Sequence, residues 1–140
     1  MIQNIGLFRG IGLLILLVGA LGCGGSASDL TEVSGQVLLD GKPLATGSVI
    51  TMPEHGRGAN GKIDNEGRFA LTSGEAGPGA SIGLHHVAVV AVEESATFNP
   101  EAPRKSLIPQ KYASAETSGL TIDVKPGETM DVVLELSSGD

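Results

Sequence analysis

The sequence predicts an all-β chain, a β-sandwich of about seven strands preceded by a cleaved signal peptide. Three observations carry this. Short runs alternate apolar and polar residues with period two, beginning with VSGQVLLD at 33–40. Turn dipeptides separate them, among them Asp40-Gly41 and Pro126-Gly127. No helical stretch interrupts the series, and short strands at such spacing read as a sandwich.

In order, Val33, Gly35, Val37 and Leu39 share one face of the first strand, with Leu38 the exception on the other. Asp40-Gly41 turns the chain, because glycine takes a positive φ without steric cost. Lys42-Pro43 cannot continue a central strand, since proline has no N–H to give. Residues 47–53 form the second strand, with Val49, Thr51 and Pro53 opposite Ser48, Ile50 and Met52. After the loop at 55–58, Ala59 to Ile63 and Arg68 to Thr72 form a hairpin about Asp64-Asn65-Glu66-Gly67, with Phe69 and Leu71 on one face. Residues 73–79 read as a loop. LHHVAVVAV at 84–92 is the strongest strand, apolar on both faces toward its end, which marks a central strand. Val89 is expected fully buried there, with Phe69 and Leu134 inward from their own strands. Residues 93–106 form a long excursion holding Pro100 and Pro103, and Leu107–Tyr112 an extended or turn segment, because Ile108 precedes a proline. Leu120, Ile122 and Val124 alternate inward, and Val132, Leu134 and Leu136 do so again.

The composition bounds the function. The chain has 140 residues, 16 acidic and 9 basic, a formal net charge of −7. That balance excludes a nucleic-acid partner, which needs a basic face to displace counterions. Aromatics are 3% with no Trp, so the core must come mainly from Val, Leu, Ile and Ala.

The N-terminus stands apart. Arg9 is the only charged residue before Asp29, and it precedes the 13-residue apolar run GIGLLILLVGALG. A spanning helix needs about 20 apolar residues, so the run fits a signal-peptide core better. Cys23, the only cysteine, follows it directly and cannot form an intramolecular disulfide. The stretch Gly19-Ala20-Leu21-Gly22-Cys23 resembles a bacterial lipobox, although Ala20 stands where Leu is usual. The resemblance implies cleavage before Cys23 and lipid attachment to it, anchoring the chain to a membrane. The organisation is then a lipoprotein signal peptide at 1–22, a lipidated cysteine and Gly/Ser tether at 23–30, and a sandwich at 31–137. No Asp follows Cys23. In enterobacteria an Asp there retains lipoproteins at the inner membrane, so a cell-envelope location at the outer membrane, facing the periplasm or the cell surface, is expected.

The pieces VSGQVLLDGKPL, GSVITMPE, GKIDNEGRF, LIPQKY and TSGLTIDV, in this order, resemble small secreted lipoproteins of planctomycete bacteria that carry a carboxypeptidase-regulatory-like, or transthyretin-like, domain. The resemblance covers roughly residues 13 to 136 and implies a prealbumin-like Greek-key sandwich. Two departures stand out. Thr51 replaces an inward Phe, and Ile82-Gly83-Leu84-His85 replaces Pro-Gly-x-Tyr. Both remove aromatic bulk, so looser packing is expected there.

Few residues suggest chemistry. His85 and His86 are adjacent on a strand and face opposite sides, and His55 lies on a distant loop. One packed and one exposed histidine are expected, and no metal or other cofactor, since zinc needs three or four convergent ligands. Asp64–Gly67 lacks the remaining ligand positions of a calcium loop. Gly79-Ala80-Ser81-Ile82-Gly83 has the G-x-S-x-G spacing, but no helical stretch follows it to make a nucleophile elbow. The transthyretin fold also hosts 5-hydroxyisourate hydrolase, but the Tyr-Arg-Gly-Ser tail of that enzyme is missing from Leu136-Ser137-Ser138-Gly139-Asp140.

The expectation is a non-catalytic envelope lipoprotein acting as a binding or structural module, with an envelope protein or a glycan as partner. A carbohydrate-binding or adhesion module is the alternative, limited to Phe69, Phe98 and Tyr112 for stacking. A hydrolase is the third reading. The candidate contact loop is 93–106, where Phe98 would anchor a partner and Arg104 and Lys105, with Lys111 nearby in sequence, would steer it. Against that stands an ordinary crossover in which Phe98 covers one end of the core.

Overall fold

The computed structural model describes residues 29–94, 99 and 101–139. Ten strands run through them: β1 (Leu30–Thr31), β2 (Val33–Leu39), β3 (Lys42–Pro43), β4 (Ser48–Pro53), β5 (Ala59–Lys62), β6 (Arg68–Ala70), β7 (Ala80–Ser81), β8 (Gly83–Val90), β9 (Leu120–Val124) and β10 (Met130–Leu136). Seven are three residues or longer, matching the seven expected, and β1, β3 and β7 are two-residue ladders. One sheet has β2 at its centre, with β10 on one side and β6 and β3 on the other. The second has the order β5-β4-β8-β9. The chain changes sheet between β3 and β4, β5 and β6, β6 and β8, and β9 and β10, which interleaves the two layers as a Greek-key sandwich does.

Local chemistry explains the turns. Asp40 and Gly41 both have positive φ, 52° and 81°, and Leu39 pairs Lys42 across them. That is the two-residue hairpin turn whose twist matches its strands. The lysine and proline after it form only a short edge strand, as the missing proline N–H requires. In the next hairpin the Asp64 carboxylate accepts the N–H groups of Glu66 and Arg68, both at 2.9 Å, and Gly67 closes the turn at φ 79°. Its arms diverge: β5 pairs β4 while β6 pairs β2, so this hairpin joins the sheets along one side.

The core lies between the sheets. Val33, Val37, Phe69, Leu71, Leu134 and Leu136 face Val49, Val87, Val89, Ile122 and Val124, all buried. Val89 is fully buried, and Phe69 and Leu134 point inward as expected. Each such side chain contributes about 1.5–3 kcal/mol by leaving water. Gly35 is a position only glycine fits: a Cβ there would lie 2.1 Å from the carbonyl oxygen of Val132. The ring of its cross-strand partner Phe69 fills the space a side chain would take.

Strand pairing begins slightly earlier than the tether boundary read from sequence. Leu30 pairs Ser81, and the Asp29 carbonyl accepts the Ile82 N–H at 3.1 Å. The segment expected to be extended or turned at 107–112 buries Ile108 and Tyr112, and a 3-10 turn spans Gln110–Ala113. The Tyr112 hydroxyl accepts the Ser137 N–H at 2.9 Å and so ties this segment to the end of β10.

The sandwich has two distinct poles. At the entry pole the chain comes in through β1, and the Thr31 hydroxyl donates to the Lys125 carbonyl at 2.6 Å, linking β1 to the β9–β10 turn. At the loop pole β2 and β10 end together at Leu39 and Leu136, and β4 begins beside Val90. Seven-residue strands put these poles roughly 20–25 Å apart.

Candidate binding site at the loop pole

Two adjoining grooves open at the loop pole. The first, ≈ 660 Å³, is lined by Ala45 and Thr46 before β4, Lys62–Asn65 at the β5–β6 turn, and Val92, Glu94 and Leu107. The second, ≈ 610 Å³, runs over Ser106–Lys111 and Ser138. Leu107 belongs to both and is 39% exposed.

The 93–106 excursion supplies part of the wall, and its ends are pinned. The Leu107 N–H donates to the Ala91 carbonyl at 2.9 Å and the Glu93 N–H to Lys105 at 3.0 Å. Val92 and Ser106 form a bridge between them, and the Ser106 hydroxyl donates to the Ile108 carbonyl at 2.7 Å. The ends of the excursion thus meet in a short antiparallel stem. Farther out, Asn99 accepts the Glu101 N–H through its side chain and the Ala102 N–H through its carbonyl.

The candidate residues divide. Arg104 is exposed on the loop. Lys105 is exposed too, but its ammonium lies 3.8 Å from the Glu93 carboxylate, so part of its charge is met within the stem. Lys111 holds its ammonium 5.2 Å from the Tyr112 ring centroid. Phe98 and Cys23 lie outside the described residues. Sequence reasoning missed the groove residues Thr46, Lys62 and Leu107. They come from three separate segments, and only the sheet registers bring them to one place.

Asp40 borders this pole. Its carboxylate accepts the hydroxyl and, at 3.0 Å, the N–H of Ser138. Those two hydrogen bonds, hydroxyl first, hold its pKa below the ordinary aspartate value, with Lys42 adding to the effect.

The histidines divide as expected, His85 fully buried and His86 exposed. His85 Nε2 lies 2.7 Å from the Ser81 carbonyl, so it carries the proton and donates it there. Nδ1 is then an acceptor, 3.0 Å from the Thr51 hydroxyl. The Ser81 hydroxyl is 3.4 Å from Nε2, but that nitrogen is already engaged, and the hydroxyl also lies 3.2 Å from the Arg57 carbonyl. This serine and histidine are not set up as nucleophile and base. The two departures noted in the sequence therefore meet. Thr51 and His85 form a buried polar pair, and no buried side-chain polar atom among the described residues lacks a partner. Both side chains are buried. Among the described residues no three His, Cys, Asp or Glu side chains gather as a metal site would require.

No family model and no curated protein matches the chain. Among solved structures, the chain is similar to a DUF3823 family protein from Parabacteroides merdae, with 13% identity and a TM-score of 0.40 over 77% of this chain and 46% of that one. It is similar also to a 9R-lipoxygenase from Cyanothece PCC8801, with 16% identity and a TM-score of 0.41 over 78% of this chain and 16% of that one. The chain thus spans less than half the length of either.

Proposed function

We propose that the chain is a lipid-anchored, non-catalytic envelope protein of the planctomycete carboxypeptidase-regulatory-like kind, whose sandwich binds a partner at the loop pole. The observation that carries this reading is polarity. The chain enters from the lipobox side at one pole, where a smaller groove of ≈ 240 Å³ lies beside Thr129, and the two larger grooves and the stem of the 93–106 loop sit at the other. An anchor at Cys23 on the outer membrane would therefore hold the larger grooves away from the bilayer and open to an envelope protein or a glycan. Of the three aromatics available for sugar stacking, Phe69 and Tyr112 are buried in the core. This favours a protein partner over a carbohydrate.

Two experiments test it. Metabolic labelling with a palmitate analogue should mark the wild type and leave Cys23→Ser unmarked and uncut; equal labelling would remove the anchor. A photo-crosslinking residue at Asn65 or Glu94 should then capture a specific envelope partner in cells. The same residue at Thr129, at the entry pole, should not. Capture at all three positions, or at Thr129 alone, would end the loop-pole reading.

A further inference from the structure

Sheet β5-β4-β8-β9 has an outer face unlike that of its counterpart. On the β2-centred sheet the outer face carries charge, with the Arg68 guanidinium 3.2 Å from the Asp131 carboxylate, and Val133 is its one strongly exposed large apolar residue among those described. On the β4–β8 pair, Ile50 is 39% exposed, Met52 59% and Leu84 41%, and Ile82 just before β8 is 42% exposed. Met52 lies across from His86, and Leu84 is the diagonal neighbour of that pair.

Three of the four side chains cluster toward the entry pole. The Ile82 N–H donates to the Asp29 carbonyl, the first described residue, and Leu84 is two residues on. Asp29 is six positions on from Cys23, and that length of chain can span at most about 20–22 Å even when fully extended. A bilayer holding the cysteine therefore lies within that distance of Asp29. The Asp123 carboxylate opposite Leu84 is paired with the Lys125 ammonium at 2.5 Å.

We infer that Met52, Ile82 and Leu84 form a bilayer-contacting surface that seats the entry pole on the membrane that anchors the chain. This inference rests on the proposed lipid anchor. The surface meets phospholipid at the headgroup boundary, so the domain is oriented on the membrane and does not swing freely on its tether.

The test uses the full chain, expressed with its leader in a diderm bacterium and purified from membranes. With Cys23 acylated, Met52→Cys or Leu84→Cys supplies a single free thiol for a polarity-sensitive fluorophore. Val133→Cys is the control, since residue 133 is as exposed as residue 52 but on the opposite sheet. Each labelled protein is placed in vesicles of phosphatidylethanolamine with a minority of phosphatidylglycerol and a spin-labelled lipid quencher. Labels at 52 and 84 should shift to the blue and be quenched several-fold more than the label at 133. Flotation with the vesicles but equal or no quenching at 52 and 84 would overturn the surface and leave the anchor standing. A blue shift already present in detergent that grows with protein concentration would give the face to a second copy, which also overturns it. Failure of the wild type to float would overturn the anchor and the surface together.

Discussion

Thr51 and His85 stand on neighbouring strands at inward positions, and each satisfies the other. The sequence showed two polar residues where the resembled family carries aromatics, a pattern that reads as a weakened core. That they meet depends on the β4–β8 register, in which Pro53 lies across from His85 and Thr51 across from Val87. Period-two alternation assigns each residue a face but not a neighbour on another strand. Thr51→Val would leave His85 Nδ1 buried without a donor, at a cost of about 1–3 kcal/mol. In the double variant Thr51→Val/His85→Leu the loss should be smaller than the sum of the singles by about 0.5–3 kcal/mol. Urea unfolding of the four proteins measures this, and strict additivity would dissolve the pair. Gly35 makes a second test at this scale. The atom its Cβ would strike belongs to the backbone of β10, which cannot swing aside as a side chain can. Gly35→Ala should lower stability by about 1–3 kcal/mol, read as a lower urea midpoint at unchanged slope.

Two loops show what an element reveals before its fold is known. The Asp64–Gly67 turn was legible because its residues carry the conformation themselves: an Asp side chain that bonds forward along the chain and a glycine at positive φ. Asp64→Ala removes an acceptor shared by two N–H groups and should cost about 1–2 kcal/mol in urea unfolding. No change would mean that Gly67 alone sets the turn. The 93–106 excursion was legible as the longest segment without a strand pattern, but its stem was not. Residues 91–93 and 105–107 pair through main-chain groups, which leave little mark on side-chain alternation. The tie between Asp40 and Ser138 was hidden for another reason: it joins two segments far apart in the sequence. Its pH dependence follows from the sign of the shift. The carboxyl pKa is depressed in the folded chain, so the stabilisation is complete above the unfolded-state value and is lost as pH falls through the folded one. Asp40→Asn keeps a residue tolerant of positive φ but removes the charge. Its melting temperature should fall below that of the wild type at neutral pH and converge with it in acid. A gap that persists at low pH would assign the effect to the turn and not to the carboxylate.

Over the whole molecule, the pairing that completes the fold joins the first long strand to the last. β10 runs parallel to β2 from Val33–Met130 to Leu39–Leu136, so the central strand of one sheet lacks its partner until nearly the whole chain has been placed. The sequence disclosed the two alternating strands and their inward faces, because burial on one face dictates alternation. It did not disclose that they are neighbours in parallel, because nothing local distinguishes a parallel partner from an antiparallel one. Such distant pairing implies slow folding, since chain entropy is lost before the contacts that offset it are made. It also makes β10 indispensable in a way its length alone would not suggest. Ending the chain after Thr129 removes Leu134 and Leu136 from the core, each costing about 2–5 kcal/mol by comparison with leucine-to-alanine changes. It also leaves one whole side of β2 without hydrogen-bond partners. Against a total stability of about 5–15 kcal/mol, the shortened chain should show no cooperative thermal transition by circular dichroism and should be digested rapidly by protease. Ending the chain after Ser137 loses the Ser138 contacts to Asp40 and the exposed hydrogen bond from the Ser137 hydroxyl to the Gly139 carbonyl, and should keep a cooperative transition at a slightly lower temperature. If the chain ending at Thr129 melts as sharply as the chain ending at Ser137, β10 is an ornament on a sandwich that closes without it.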